Sequence, residues 1–248
     1  MKIGHKDNNA ARFLRSAMTL DGDFCSCDQA LDWINDRKKE VGVKIEVTQL
    51  SNLKHWKHNS STGRIEHETG KFFSIEGIDI RIETTDGELK KWSQPIINQP
   101  EVGYLGCIVK EFNGLLYFLV QAKIEPGNVN VVQISPTLQA TRSNYTQVHK
   151  GRAPKFLDYF NVPGNSKVLV DQLQSEQGAR FLSKRNRNII VEVDGELELP
   201  SEFKWLTLGQ IKVLIGHDNV VNMDLRTVVS CIPINESNHI ILGNSNAL

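Results

Sequence analysis

The sequence has no excess of charge of either sign. Its 248 residues include 29 Lys and Arg against 29 Asp and Glu, so no global electrostatic field draws the protein toward nucleic acid or a membrane surface. An anionic ligand must therefore be held by a local cluster of basic side chains. Hydrophobic residues make up 40% of the chain and charged residues 23%, which is typical of a globular domain with an ordinary core.

Long hydrophobic runs are absent as well. The first 20 residues have charges scattered through them, unlike the apolar stretch of a signal peptide. The longest apolar runs, such as LLYFLV at 115–120, are far too short to span a bilayer. The expectation is a soluble, cytoplasmic protein with neither a membrane nor nucleic acid as its partner.

Cysteines are few, and nucleotide-binding loops are missing. A disulfide framework needs more cysteines in a shorter, secreted chain than the four found here, Cys25, Cys27, Cys107 and Cys231. The first two are too closely spaced for a zinc knuckle, and no paired Cys/His motif follows them. The chain also lacks a Walker loop and a Gly-x-Gly-x-x-Gly motif, so bound ATP or NAD is not indicated.

The part of the chain before residue 71 shows helical periodicity and then a polar stretch. Residues 8–42 place apolar side chains at one-face spacing, which predicts two helices. Residues 51–71 are polar and rich in turn formers, which predicts a loop or connecting arm. We therefore expect residues 1–70 to form an N-terminal helical segment with its arm, and residues 71–248 to form one larger module.

The middle of the chain has the period-two pattern of strands. Isoleucines alternate with charged residues over 78–83, and Asp86-Gly87 predicts a turn after them. Two β-rich runs flank Asn113-Gly114, a strong hairpin signal. This order of elements predicts an α+β fold with a mixed, mainly antiparallel sheet and flanking helices. Further strands are expected at 131–134, 167–170 and 189–193, and helices at 172–186 and 205–215.

Uncharged hydrogen-bonding side chains are unusually concentrated at the ends of the expected strands and helices. Each glutamine alone fits a solvated surface. The set fits a cleft better, because its neighbours are apolar or aromatic, and because sugar hydroxyls and a pyrimidine edge need paired donors and acceptors. The glutamines are Gln94, Gln99, Gln121, Gln133, Gln139, Gln172, Gln174 and Gln177.

The segments that carry these glutamines resemble the recurring blocks of the NDP-hexose 2,3-dehydratases, enzymes of deoxysugar pathways. The blocks occur in the same order, at 92–106, 121–128, 133–149, 171–181, 184–188, 205–211 and 218–231. The resemblance implies Nudix-like modules, often two in one chain, that act on a dTDP-linked 4-keto-6-deoxyglucose. This chain has room for one such module, so a homodimer that reproduces the double arrangement is expected.

The eight-residue stretch 171–178 bears on the Nudix relationship. It matches the core of the Nudix box only at Leu173, Glu176 and Gly178. If the stretch is aligned with that box, Gln172 and Ser175 stand where acidic metal ligands would be, and one remaining Glu makes a poor site for a hard divalent cation. The expectation is a module that uses no metal and no other cofactor.

The resemblance implies a reaction that a 4-keto sugar undergoes without a cofactor. The C4 carbonyl acidifies the hydrogen on C3, so a base can remove it to give an enolate. The C2 hydroxyl then leaves as water, and the enol tautomerises to a 3,4-diketo-2,6-dideoxy sugar. The protein must supply a base at C3, a donor to the enolate oxygen and an acid for the departing hydroxyl.

Four residues are candidates for these acid and base roles. His149, which titrates near neutrality, is either a base or acid or a structural histidine. Glu176 is either catalytic or the partner that orients an arginine. Tyr145 either steadies the enolate oxygen or packs in the core. Lys123, at the end of an apolar strand, polarises the keto group, binds phosphate or forms a salt bridge with Glu125.

Basic residues near one expected helix end are candidates for binding the diphosphate, because guanidinium groups pair with phosphate oxygens; the alternative is favourable charge at a helix C-terminus. They are Arg180, Lys184, Arg185 and Arg187, with Arg142 and Arg226 as secondary candidates. The candidates for stacking on the base are Trp92 and Trp205, which are otherwise core residues. The candidates for contacting sugar hydroxyls are Asn144, Asn128 and Gln133.

Two other functions stay open at this point. The chain is alternatively a non-catalytic sugar-nucleotide-binding module that pairs with an active subunit. It is alternatively an isomerase or epimerase on the same substrate, which would form the same enolate without expelling water. Loss of water and exchange of the C3 hydrogen with solvent separate the three functions.

Overall fold

Eleven strands, five α-helices and one short 3₁₀ helix (Leu50–Asn52) lie within residues 8–141, 153–162 and 164–234, the part of the chain that the computed structural model describes. The helices are α1 (Asn9–Met18), α2 (Cys27–Glu40), α3 (Asp158–Asn161), α4 (Leu208–Ile215) and α5 (Met223–Ser230). The strands are β1 (Trp56–Asn59), β2 (Arg64–His67), β3 (Ser74–Glu83), β4 (Leu89–Asn98), β5 (Gly103–Phe112), β6 (Leu115–Ile124), β7 (Val132–Pro136), β8 (Leu138–Ala140), β9 (Lys167–Ser175), β10 (Arg185–Glu192) and β11 (Phe203–Thr207).

The strands form two sheets. The smaller sheet is antiparallel, in the order β1-β2-β3-β4. The larger sheet has the order β11-β6-β5-β10-β9, and β7 and β8 pair with β6 and β5 respectively. Only the β5–β10 pair is parallel among the described strands. The expected α+β fold with a mixed, mainly antiparallel sheet is confirmed.

The two faces of β6 enter two different hydrophobic clusters, because successive side chains of a strand point to opposite faces. Phe118 and Val120 pack on one face with Phe13 of α1 and Ile34 of α2. Tyr117 packs on the other face in a second cluster. The N-terminal helices, which the periodicity of residues 8–42 predicts, therefore share a core with the larger sheet.

A tight turn joins β5 to β6, as the Asn113-Gly114 pair predicts. Both residues have positive φ, 52° for Asn113 and 78° for Gly114. This left-handed conformation at both central positions is the one that a two-residue hairpin favours and that Asn-Gly adopts readily. It brings Phe112 opposite Leu115 and starts the register of the central pair of strands.

Beyond this hairpin, β5 and β6 separate. Their last shared pair is Ile108 with Leu119; further along, β6 pairs with β7 and β5 pairs with β8. Since β11 pairs with the outer side of β6 and β10 pairs with the outer side of β5, β7 and β8 lie inside the fork between β5 and β6. Thr137, between β7 and β8, accepts a hydrogen bond from the Ile108 N–H at 2.9 Å and donates one to the Leu119 carbonyl. One buried hydroxyl thus provides a hydrogen-bond partner for a main-chain group of each strand where β5 and β6 separate.

Of the expectations for secondary structure, one is wrong and another is wrong in part. The helix expected at 172–186 is instead the end of β9, a turn and the start of β10, which pair with each other. Their cross-strand pairing outweighs the helix propensity of the Gln- and Glu-rich segment. The expected arm at 51–71 contains the β1–β2 hairpin, which is held by the Trp56 ring against Phe73, with 4.9 Å between ring centroids.

The helix expected at 205–215 begins three residues late. Trp205–Thr207 is the end of β11, paired with β6. Thr207 then caps α4, because its side chain accepts a hydrogen bond from the Gln210 N–H at 3.0 Å and the Gln210 side chain accepts one from the Thr207 N–H at 2.9 Å. No helix in the described ranges is long and apolar enough to cross a membrane. All four cysteines are free thiols.

We predict that Thr137→Val lowers the free energy of unfolding by about 1–3 kcal/mol, because it leaves a buried N–H and a buried carbonyl without partners. Urea denaturation monitored by circular dichroism measures the change. Thr48→Val, at an exposed position, is the matched control. Equal stabilities of the two variants would contradict the role given to Thr137.

Candidate active site

A cavity of about 210 Å³ lies where the two central strands separate. The strands contribute Leu105 of β5, Lys123 of β6 and Gln139 of β8. Glu176, in the turn after β9, and Asp224, in the first turn of α5, are the acidic side chains that line it. The fork in the sheet therefore makes the space that these side chains line.

A second cavity, of about 240 Å³, adjoins the first. Four residues line both, so the two spaces meet there: Leu105, Glu176, Asn186 and Asp224. The remaining lining of the second cavity carries no charge: Gln174, Ser175, Gln177, Asn188, Met223 and Thr227. The amide-rich lining that the sequence indicated for a cleft is present here, although with only some of the expected glutamines.

The position of Asp224 follows from the capping of α5. Asn222 precedes the helix, and its Oδ1 accepts a hydrogen bond from the Leu225 N–H at 2.9 Å. The Nδ2 of the same side chain donates to Glu125 at 3.1 Å and to the Gln139 side chain at 3.3 Å. The helix start, and Asp224 with it, is thereby fastened to β8 and to the end of β6.

Glu125 is fixed by three amides. Its carboxylate accepts hydrogen bonds from Gln139 at 2.6 Å, from Asn128 at 3.0 Å and from Asn222 at 3.1 Å. The Lys123 ammonium instead donates to the main-chain carbonyl of Gln139 at 3.5 Å. Both charged side chains are described, and they form no ion pair with each other. Of the three roles considered for Lys123, the salt bridge with Glu125 is therefore excluded in this structure.

Burial shifts the pKa of three ionisable side chains at the cavity, Asp224, Lys123 and Lys184. It raises the pKa of Asp224 to about 6, and the nearby carboxylates of Glu125 and Glu176 act in the same direction, against Lys123. Burial lowers the pKa of Lys123 and of Lys184. Asp224 can therefore both take up and release a proton near neutral pH, a property that is common in catalytic groups.

Glu176 is positioned by the β9–β10 turn. Its Oε2 accepts a hydrogen bond from the Asn186 side chain at 2.7 Å, and its N–H donates to the Lys184 carbonyl at 2.9 Å. Lys184 is buried, and its ammonium donates to the Glu101 carbonyl. The structure thus brings three sequence candidates, Lys123, Glu176 and Lys184, to one cavity.

The expected basic cluster is divided by strand alternation. Lys184 and Asn186 are buried on the cavity side, whereas Arg185 and Arg187 are exposed on the opposite face of the strand. Arg187 forms a salt bridge with Asp171 at 2.9 Å. The expectation of one helix end that gathers these cations is wrong because the segment is a strand.

Most other sequence candidates lie away from the two cavities. Trp205 is core, with its ring edge-on to Phe112 at 5.3 Å, and Trp92 is exposed on β4. Buried Gln133 donates to Asn130 at 3.1 Å, Asn128 supports Glu125, and Arg180 and Arg226 are exposed. The candidates that fall outside the described residues are Arg142, Asn144, Tyr145 and His149.

Sequence reasoning missed Asp224 and the amides that position it. An acidic residue two places after an Asn is typical of the first turn of any helix, where it complements the helix dipole. The available signal was its place in the block 218–231, one of those that carry the family resemblance. No arrangement of three or more His, Cys, Asp or Glu side chains suited to a metal ion is found in the described ranges.

Fold and site together define an α+β protein with a small-molecule cavity and one carboxyl, that of Asp224, that exchanges a proton near neutral pH. The chain belongs to the NDP-hexose 2,3-dehydratase family, whose model matches residues 27–232. The resemblance that the sequence blocks indicated is confirmed.

Curated relatives agree with this membership. The chain is 49% identical over 230 residues to a dTDP-4-dehydro-6-deoxy-alpha-D-glucopyranose 2,3-dehydratase from Saccharopolyspora spinosa, with 93% of this chain and 47% of that protein covered. It is 46% identical over 228 residues to a protein of the same name from Amycolatopsis orientalis, with 90% and 48% covered. The chain spans about half the length of the curated relatives it matches.

Among solved structures, a Nudix hydrolase from M. smegmatis, RenU, covers 64% of this chain and 99% of its own, with 13% identity and a TM-score of 0.35. So weak a likeness carries no argument. The α+β assignment therefore rests on the strands and helices described above, and the Nudix-like character remains what the family resemblance implies.

We predict that Asp224→Asn raises the free energy of unfolding at pH 7.5 and that this gain shrinks toward pH 4. The ionised carboxyl is disfavoured in the folded state, so stability falls as pH rises between the ordinary pKa of 3.8 and about 6. The full difference corresponds to at most about 3 kcal/mol, and exposure to the cavity reduces it to about 1–2 kcal/mol.

Urea denaturation at several pH values tests this prediction. Asp194→Asn, at an exposed position, is the control and should show no such dependence on pH. A gain in stability for Asp224→Asn that is the same at pH 4 and at pH 7.5 would show that Asp224 titrates normally.

Proposed function

We propose that this chain is a dehydratase module that removes water across C2 and C3 of a nucleoside-diphosphate 4-keto-6-deoxy-hexose to give a 3,4-diketo-2,6-dideoxy sugar. Membership of the NDP-hexose 2,3-dehydratase family and the names of the relatives support this proposal. The observation that carries it is the position of Asp224 and Glu176, two carboxyls at the meeting point of two cavities, one with a pKa near neutrality. Since the relatives carry thymidine diphosphate sugars in their names, the proposed substrate is dTDP-4-keto-6-deoxyglucose.

Asp224 is the proposed base at C3. Above pH 6 it is ionised, and its raised pKa makes it a stronger base than an ordinary carboxylate. Glu176 lies beside it, and its negative charge is one cause of that raised pKa. Tyr145 as the donor to the enolate oxygen and His149 as a base or an acid stay predictions from the sequence, since both lie outside the described residues.

The diphosphate is proposed to bind in the first cavity. Lys123 and Lys184 are the cations of its described lining, and neither lines the second cavity. An ammonium whose pKa is lowered by burial gains most from an anionic partner. This placement favours phosphate binding over carbonyl polarisation for Lys123.

The remaining expectations stay predictions. They are a homodimer, a cytoplasmic location, a reaction without metal or coenzyme, and residues 71–248 as the catalytic module.

Incubation of the protein with dTDP-4-keto-6-deoxyglucose in deuterated water tests the function. We expect loss of the C2 hydroxyl, detected by mass spectrometry as the loss of one water together with the gain of solvent deuterium at C2, where the enol takes up a proton from the solvent. Exchange of the C3 hydrogen for deuterium without loss of water would favour the isomerase or epimerase. Saturable binding with neither change would favour a non-catalytic binding module.

We predict that Asp224→Asn lowers kcat by about 10²–10⁴-fold, the usual contribution of a general base, with little change in the affinity for dTDP. In the wild type, kcat/KM should rise through about pH 6 as Asp224 ionises. Glu176→Gln should move this rise to lower pH, because it removes a neighbouring negative charge.

The control for these variants is Asp194→Asn, an exposed carboxyl that lines neither cavity. Turnover by Asp224→Asn within about threefold of the wild type would remove Asp224 as the base, since a general base contributes far more. An unchanged pH profile for Glu176→Gln would remove the proposed influence of its charge.

A further inference from the structure

The second cavity has a lining that disfavours anions. Its described lining contains the carboxyls of Asp224 and Glu176 and no Lys or Arg. Amides and hydroxyls make up most of the rest, and Leu105 and Met223 supply apolar surface. Such a lining suits an uncharged ring that carries hydrogen-bonding groups, not a diphosphate.

Asn188 adds a buried acceptor to this cavity. The residue lines the cavity, is 1% exposed, and donates from Nδ2 to the Asn186 carbonyl at 3.4 Å. Its Oδ1 is buried and has no hydrogen-bond partner among the described residues. Buried polar atoms are nearly always paired in folded proteins, so the unpaired acceptor of a side chain that lines a cavity calls for a donor from the contents of the cavity, which is a ligand or water.

We propose that the second cavity is the subsite for the hexose ring and that Asn188 accepts a hydrogen bond from the C2 or the C3 hydroxyl of that ring. The inference rests on the proposed function. It places the diphosphate beside Lys123 and Lys184 and puts C2 and C3 next to the two carboxyls that line both cavities. Asn188 is thus a specificity-determining residue.

The chemistry of the reaction gives this acceptor a use. A 4-keto-6-deoxy-hexose joined to a diphosphate has two hydroxyl donors, on C2 and C3. Dehydration takes the C2 hydroxyl and the C3 hydrogen as water, and the C3 hydroxyl becomes a carbonyl. The product therefore has only acceptors to offer to Asn188, Asp224 and Glu176. The subsite favours substrate over product, because a site built for a donor rejects a ligand that lacks it.

The number of hydrogen-bond donors also indicates that the hexose ring, and not the nucleobase, occupies the second cavity. A thymine edge has one N–H donor between two carbonyl acceptors, whereas the hexose has two hydroxyls that each donate. At the second cavity, Asn188 and the two carboxyls add acceptors to a lining of amides and hydroxyls, which both donate and accept. The ligand part with the most donors therefore fits it best.

Isothermal titration of the wild type and of Asn188→Leu tests the inference. The probes are dTDP, dTDP-6-deoxyglucose and the 2,3-dideoxy counterpart of that sugar nucleotide, none of which has the 4-keto group needed for turnover. The wild type should bind the hydroxylated sugar nucleotide at least about tenfold more tightly than the dideoxy one. Asn188→Leu should lose this preference and retain the wild-type affinity for dTDP.

Three further variants complete the design. Asn188→Ala repeats the test with a smaller side chain should the leucine prevent folding, and Asn188→Asp keeps an acceptor and should keep the preference. Asn59→Leu is the matched amide-to-leucine control on the smaller sheet, where the amide donates to Glu66 at 2.9 Å. It should bind all three probes like the wild type.

The outcomes distinguish the subsite from the function. An unchanged preference in both Asn188→Leu and Asn188→Ala would overturn the subsite while leaving the dehydratase proposal intact. Loss of dTDP affinity in these variants would also overturn it, since the cavity would then hold the nucleotide. Failure of the wild type to bind either sugar nucleotide would overturn the proposed function itself.

Discussion

The hydrogen bonds of Thr137 are the constraint on which the candidate site depends. A sheet whose central strands separate would normally leave buried N–H and carbonyl groups unpaired, at a cost comparable to that of a lost hydrogen bond for each. Here one hydroxyl serves the Ile108 N–H and the Leu119 carbonyl, and β7 and β8 satisfy the strands beyond that point. The strands can therefore diverge inside a hydrophobic core and leave a polar cavity between them.

The electrostatics of the site follow from this geometry. Lys123 lies on β6 just past the fork, and Gln139 lies on β8 inside it. Through Glu125 and Asn222 the same amide network fixes the start of α5, which carries Asp224 into a largely buried position. Burial raises the pKa of this carboxyl, so the proton-exchanging group is produced by the packing of the fork and not by a motif.

Local patterns in the sequence predicted much of the fold. The period-two isoleucines of β3, the Asn113-Gly114 turn and the one-face spacing of residues 8–42 each report short-range geometry, and each is confirmed. The segment 172–186 was predicted incorrectly because its strand state depends on pairing with distant residues of the larger sheet. Helix propensity does not contain that information.

The candidate site was predictable only where residue type and resemblance coincided. Lys123 could be singled out because a charge at the end of an apolar strand needs a partner, and Lys184 and Glu176 because they lie in family-like blocks. Strand alternation decides that Lys184, just before β10, faces the cavity and that Arg185 and Arg187 do not, and a helical interpretation of the segment does not contain this alternation. The raised pKa of Asp224 depends on burial and on carboxylates from two other segments, and these are tertiary facts.

The proposed ligand would itself adjust this cluster of charges. A diphosphate beside Lys123 and Lys184 favours their ammonium forms and so opposes the lowering of their pKa by burial. The same negative charge disfavours ionisation of Asp224 and raises its pKa further, which makes it a stronger base. The C4 carbonyl of the sugar supplies the acidity at C3. The carbonyl thus lowers the pKa of the C3 hydrogen, and the site raises the pKa of Asp224, so the two pKa values approach each other. Proton transfer from C3 to Asp224 becomes easier, and ordinary side chains can suffice for the elimination.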